Sequence, residues 1–308
     1  MKKQNLRKAA LSALLMLVIA VVSLTGVTYA WFTGGTQAEV DNINVTVEGA
    51  AGGLQIAMAT GENAYVFGST VDFANTNSGV NYKPVSTNAT ALAAGNFFKA
   101  EIGSNAKMLK NITAATANAD YFAQSILIDN FGGDAKVLAL SGTATSAEGD
   151  DAYLAIRIAI VIDGVDTTPE YDGTKDTFDA ETSKQVYIYE PNATSHTSAG
   201  KNEARVDGIS ANTGDAKYTY FGIGAADLGD GVTEINRYSV DEAGCLAAVT
   251  TYDLSATDGR INIAADALVK ATIYVWVEGQ DHDCHNDIAG GSIATNLVFT
   301  ITSGGGVQ

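Results

Sequence analysis

Strict alternation of apolar and polar side chains, repeated in several separated runs, constrains this chain more than any other feature. Leu154, Ile156, Ile158, Ile160 and Ile162 fall on one side of an extended backbone, with Tyr153, Ala155, Arg157, Ala159 and Val161 on the other. Side chains of a strand point alternately to its two faces, so a period of two predicts a long, half-buried β-strand here. Ile273, Val275 and Val277 alternate with Thr272, Tyr274 and Trp276, and Ile293, Thr295, Leu297, Phe299 and Ile301 share one side of the last run. Near the N-terminus Ile43, Val45 and Val47 follow the same rule. Shorter runs of strand character are 54–58, 65–67, 97–101, 124–129, 137–142, 186–189, 218–223 and 260–263. Helical spacing is confined to 104–118, where Met108, Leu109 and Ile112 predict a short helix, and to one turn at Asp266 to Leu268.

The pieces between these runs are clusters of Gly, Asp, Asn, Ser and Thr, such as 130–134 and 143–151. Glycine is abundant (32) and proline scarce (3), which fits many tight turns and excludes Pro-rich stalks. Strand runs at this spacing, with no alternating helices, predict an all-β chain folded as an antiparallel β-sandwich. The stretch 163–231 is poorer in aliphatic residues, holds Pro169 and Pro191, and carries much of the acid. It is expected to be an insertion of loops and hairpins in a single domain spanning 31–308.

Residues 1–30 read as a signal segment. Met1 to Lys8 is basic, Ala9 to Val27 is uncharged and apolar, and Thr28-Tyr29-Ala30 places small residues where a signal peptidase reads them. Cleavage between Ala30 and Trp31 is expected, leaving a secreted or cell-surface protein. The alternative is that the signal helix is kept as an anchor, since the run is near the length that spans a bilayer. The formal net charge of the chain is −17, from 18 Lys and Arg against 35 Asp and Glu. Four of the cations (Lys2, Lys3, Arg7, Lys8) and none of the acids lie before the cut, so the processed chain has 14 against 35, a net −21. Such a surface repels phosphates and anionic lipid heads, which argues against nucleic acid and against membrane binding after cleavage.

Cys245 and Cys284 are the two cysteines, and export makes one disulfide the expected state. Acidic neighbours (Asp281, Asp283, Asp287) disfavour a reactive thiolate at Cys284, and His282 with His285 lacks the further ligands of a zinc site. Calcium is the better chemical fit. Asp281, Asp283, Asn286 and Asp287 gather hard oxygen donors after a strand, and Asp163, Asp166 and Asp172, with Glu170 and Asp176, form a second acidic loop. A solvated acidic turn is the competing reading of both. No zinc-protease, nucleophile-elbow or phosphate-loop pattern occurs, so no catalytic residue is expected and the chain reads as non-enzymatic.

The junction Thr25-Gly-Val-Thr-Tyr-Ala-Trp-Phe-Thr33, followed by the strand Asn42-Ile-Asn-Val-Thr-Val47, resembles the processing region of the TasA/camelysin group of exported Gram-positive proteins. Tyr153-Leu-Ala-Ile-Arg-Ile158 and Ile273-Tyr-Val-Trp-Val-Glu-Gly-Gln-Asp281 resemble segments of clostridial-type members. The resemblance implies a jelly-roll-like sandwich, a dedicated signal peptidase and self-assembly into extracellular fibres of a biofilm matrix. The residues offer a physical counterpart: Trp31, Phe32, Ile43, Val45 and Val47 make an aromatic-led strand able to complete a neighbour's sheet. Two other expectations compete. One is a monomeric surface adhesin or ligand-binding module using 163–231; the other is a secreted metal-dependent hydrolase.

Overall fold

The computed structural model describes residues 38–48, 53–59, 65–73, 81–87, 92, 95–102, 108–146, 152–167, 179–189, 218–219, 235–236, 249–250, 261–279, 284 and 292–302. Among them the chain is almost wholly β, and its only helix is a 3₁₀ turn at Ala152–Ala155. The strands are β1 (Ala38–Glu48), β2 (Leu54–Met58), β3 (Thr70–Asp72), β4 (Asn81–Tyr82), β5 (Pro84–Thr87), β6 (Phe97–Ile102), β7 (Met108–Ala114), β8 (Phe122–Asn130) and β9 (Lys136–Ser146). They continue as β10 (Ile156–Asp166), β11 (Asp179–Tyr189), β12 (Tyr218–Thr219), β13 (Ile235–Asn236), β14 (Val249–Thr250), β15 (Ile261–Ile263), β16 (Ala267–Glu278) and β17 (Ser292–Thr302).

Two mixed sheets carry the fold. The first has the order β15-β9-β17-β1-β3, with β4 also on β1. In the second, β16 pairs β10 on one edge, with β11 beyond; its other edge is taken by β8 and, at the last two residues, by β5. From there β2 extends β8, while β6, β7 and β13 extend β5. The short pair β12-β14 stands apart. The expectation of purely antiparallel pairing is corrected at two places: β1 runs parallel to β17, and β5 parallel to β16. Parallel neighbours need long connections, and the first and last strands of a chain supply the longest.

Alternation works as expected on the inward faces. Ile43 and Val45 of β1, Leu297 and Phe299 of β17, and Leu138 of β9 meet Ile156, Ile158, Ile160 and Ile162 of β10 and alternate residues of β16 and β8 in one cluster. Both sheets therefore share one apolar core. The half-buried expectation for β10 fails, because its second face is buried as well: Arg157, Ala159 and Val161 are all 0% exposed. Val85, Leu92, Phe97, Ala115 and Tyr121 fold over that face and close a second cluster with Ala159, Val161, Tyr274 and Trp276. Phe97 stacks on Tyr121 with ring centres 4.2 Å apart and meets Trp276 edge-on at 5.3 Å. Aromatic pairs in these geometries add to simple area burial.

The helix expected over 104–118 is also corrected: 108–114 is β7. Asn111 has a left-handed φ of 51°, and the pairs Lys110↔Glu101 and Thr113↔Lys99 place two residues of β7 opposite one of β6. This bulge breaks the period of two, so Leu109 and Ile112 both reach the core at a spacing that looks helical. Residues 65–67, expected as a strand, are irregular, and Asp266 stands in a turn before β16.

Three crossings between the sheets meet at one pole of the molecule, where β1, β8 and β15 end. Asn130, fully buried, ties them together. Its Nδ2 donates to the Asp134 carbonyl (3.0 Å) and the Ala264 carbonyl (2.7 Å), and its Oδ1 accepts from the Gly132 amide (3.3 Å). The Phe131 amide donates to the Gly53 carbonyl at 2.9 Å. Gly53 has φ +88°, and a Cβ there would lie 3.0 Å from the Gly132 Cα, so only glycine fits. Phe131 is left at the tip of this brace, 53% exposed.

Candidate functional site

The N-terminal strand occupies a slot in the first sheet. β1 matches β17 in parallel from Glu39↔Ser292 to Glu48↔Thr300, with one bulge between Val40 and Asn42. Among the described residues its other edge is covered more thinly. β3 contributes the pairs Asn44↔Asp72, Val45↔Val71 and Thr46↔Thr70, and β4 contributes Ala38↔Tyr82 and Glu39↔Asn81. The Phe73 amide adds a bond to the Ile43 carbonyl at 3.0 Å, and its ring meets Phe122 edge-on at 5.2 Å. Ile43 and Val45 are 1% and 0% exposed and fill the middle of the slot. Val47 lies opposite Phe299 in the register. Ala30, Trp31 and Phe32 lie outside the described residues.

Of the expected calcium ligands, Asp281, Asp283, Asn286, Asp287 and Asp172 lie outside the described residues. Asp163 and Asp166 do not stand on a loop as expected; both belong to β10. The bulge between Ile162 and Gly164 turns Asp163 towards β16, where its carboxylate accepts a hydrogen bond from the Thr272 hydroxyl, itself 2.9 Å from Ser125. Lys270 sits opposite Gly164, between the two aspartates along the strand. No group of three or more metal-binding side chains occurs among the described residues, and Glu170, Asp172 and Asp176 of the expected loop lie outside them.

Cys284 is 1% exposed and joins the shared core, while Cys245 lies outside the described residues; no disulfide occurs among those described. Of the stretch 163–231, β11 is a full strand against β10, pairing from Ile158↔Tyr189 to Val165↔Asp179. Its expected loops lie outside the described residues.

One polar centre carried no sequence signal. Asp120, 3% exposed, receives Lys99 Nζ at 2.7 Å on Oδ2, the Thr116 amide at 2.8 Å on the same oxygen, and Lys83 Nζ at 3.6 Å on Oδ1. Burial pushes the Asp120 carboxyl up, but the Lys99 hydrogen bond, the Thr116 amide and the two lysine charges outweigh it and hold it below the usual range. The cluster fastens the β5 and β6 segments to the turn before β8. Burial, with the Asp120 charge beside it, pushes the Tyr121 hydroxyl up against the opposing Gly95 contact.

Comparison with protein-family models, with curated proteins and with solved structures returns no match for this chain.

Proposed function

We propose that this chain is a secreted, non-enzymatic structural protein, a subunit of extracellular fibres or biofilm matrix joined by strand addition. The observation that supports it is the seat of β1: one edge is matched along its length by β17, while the other, among the described residues, is covered by three β3 pairs, the Phe73 amide and two β4 pairs. A strand held this way can leave and be replaced by the same strand of a neighbour in the same register, with Ile43 and Val45 as its buried anchors. On this reading the two sheets form a jelly-roll-like sandwich. A signal peptidase cuts after Ala30, Cys245 and Cys284 pair, and the loop with Asp281, Asp283, Asn286 and Asp287 is where calcium would bind.

Electron microscopy of the processed protein beside a version lacking Trp31 to Val47 tests the reading. Filaments that vanish on the deletion support it; monomers in both samples, or filaments unchanged by the deletion, overturn it. A saturable rise in melting temperature between chelator and millimolar calcium is expected, and no rise removes the calcium loop.

A further inference from the structure

We propose that the outward face of the first sheet is a stacking surface for the same face of a second copy of this chain, so that filaments associate side by side. The registers define the face. Thr295, Leu297 and Phe299 of β17 turn into the core, which leaves Asn296 exposed and Val298 partly exposed on the other side. Asn296 stands in a row with Asn44 of β1 and Thr143 of β9, and Val298 in a row with Thr46 and Ser141. The exposed Asp72 and Thr70 of β3 extend these two rows. Residues paired across neighbouring strands share a face. Among the described residues, every register position of this face from β15 to β3 is Asn, Thr, Ser, Ala or Val, save Glu39, Glu48 and Asp72 at its ends and its β3 edge.

The chemistry of the face selects its occupant. Phosphates and anionic lipid heads need cations, and no Lys or Arg stands at these positions. Sugar rings are held by stacking on aromatic faces, and no aromatic stands there either. A divalent cation needs carboxylates gathered at one point, and the three here are spread along the margins. A second copy fits. The formal net charge of the chain is −17, so two copies repel wherever their acids face each other. On this face the charge is held to the rim, and short side chains let two sheets pack in the aligned manner about 10 Å apart.

Area sets the strength of the contact. The 11-residue strands β1, β9 and β17, about 4.8 Å apart and about 36 Å long, give roughly 500 Å² per copy, to which β3 and β15 add their ends. A specific interface takes roughly 800 Å² per partner. One stacked pair is therefore weakly held, while contacts repeated along two filaments add up to a stable bundle. The face does not depend on whose β1 fills the slot: a neighbour's strand in the same register restores Asn44 and Thr46 beside β17.

Complementary charges at the centre of the face test the stacking. Asn296→Asp and Asn296→Lys form one pair of variants, and Thr46→Asp and Thr46→Lys a second should the first not fold. Light scattering of the processed chain over a range of concentrations at low salt gives its mean mass. Each variant alone is expected to need at least tenfold more protein than the parent to reach the same mass, because like charges meet across the stack. An equimolar mixture of the Asp and Lys forms is expected to regain the parent's association. A mixture no stronger than its separate components would overturn like-on-like stacking. Val66→Asp controls for net charge, since Val66 is 87% exposed where Tyr65 and Phe67 pack on the second sheet; a weakening equal to that of Asn296→Asp would also overturn it. In electron micrographs the parent is expected to form bundles and Asn296→Asp single filaments. Bundles that persist in the variant would overturn the stacking and leave strand addition standing. Parent protein that associates without filaments, and regains association in the charge mixture, would overturn strand addition and leave the stacking standing. A parent that stays monomeric up to millimolar concentration would overturn both.

Discussion

The two sheets use the same alternating code for different ends. In the second sheet, β10 and β16 are buried on both faces, inward against the shared core and outward beneath Phe97, Tyr121 and Leu92. In the first sheet, Thr295, Leu297 and Phe299 of β17 face the core while Asn296 is exposed. The second sheet is thus the body of the fold. In the first sheet the first and last described strands, β1 and β17, pair with each other, with β9 and β15 beyond β17 and with β3 and β4 on the other side of β1. Releasing a strand from a sheet covered on both faces opens two cores, whereas releasing β17 at its exposed Asn296 face would open one.

Charge placed on corresponding outer faces should break this contrast most sharply. Ala159→Asp puts a carboxylate into the second cluster, where Ala159 is 0% exposed. Burial of an unpaired charge costs several kcal/mol, about the size of a domain's whole stability of roughly 5–15 kcal/mol. Loss of the folded circular-dichroism signal is expected. Asn296→Asp, on the exposed face of β17, should stay within about 0.5 kcal/mol of the parent in urea denaturation. Equal effects at the two sites would show that the outward face of the second sheet is not covered.

Truncation within the cover should rank next. Trp276→Ala removes a fully buried ring that meets Phe97 at 5.3 Å and whose Nε1 donates to Glu278 at 3.0 Å. A loss of about 3–5 kcal/mol is expected for such a truncation. The brace at the pole should cost somewhat less. Asn130→Ala takes away three contacts, to Asp134, Ala264 and Gly132, in a site with no exposure, for an expected loss of about 2–4 kcal/mol. A midpoint shift below a tenth of this in either variant would contradict the packing on which the contrast rests.

Much of the architecture was legible in the sequence because it obeys one period. The runs expected at 54–58, 97–101 and 260–263 lie in strands at nearly those bounds, and the alternation at 293–301 places Thr295, Leu297 and Phe299 on one buried face as foreseen. What misled the reading were breaks in that period. Asn111 turned Leu109 and Ile112 into a helical spacing, and the bulge beside Asp163 carried two aspartates from a supposed loop into β10. Burial of Arg157 was illegible for another reason. A charged residue on the polar side of a strand predicts solvent, and only the distant Val85 to Tyr121 segment shows that this side is covered. The Asp120 centre joins residues 21 and 37 positions apart, and nothing in the chain marks the partners before they meet. The slot of β1 was half legible: the strand was evident, its parallel partner at the far end of the chain was not.

In the first sheet one buried group works against stability. The Thr295 hydroxyl is buried in the core beside Ile43 and has no hydrogen-bond partner among the described residues. Thr295→Val keeps the shape and removes the desolvated hydroxyl, so a gain of about 1 kcal/mol is expected in urea denaturation. The gain should also strengthen the slot and so slow release of β1, seen as slower amide exchange at Ile43 and Val45. A loss of stability would mean that the hydroxyl has a partner after all.

The smallest expected effect concerns how the cover is fastened. Asp120 has a folded pKa below its unfolded value of about 3.9, so its pairing contributes stability above the unfolded pKa and loses it as pH falls through the folded one. Lys99 is about a third exposed, and solvent screening holds the contribution near ~1 kcal/mol. Asp120→Asn keeps the shape and part of the hydrogen bonding to Thr116 but removes the charge that holds Lys99 and Lys83. The parent should therefore be more stable than the variant at neutral pH, and the difference should shrink steadily below pH 4. High salt should shrink it too, because the lysines lie near the surface. If instead the Asp120 difference persists unchanged to pH 2, the carboxylate acts by shape alone and the β5–β7 cover is held to the second sheet by its aromatic packing without help from charge.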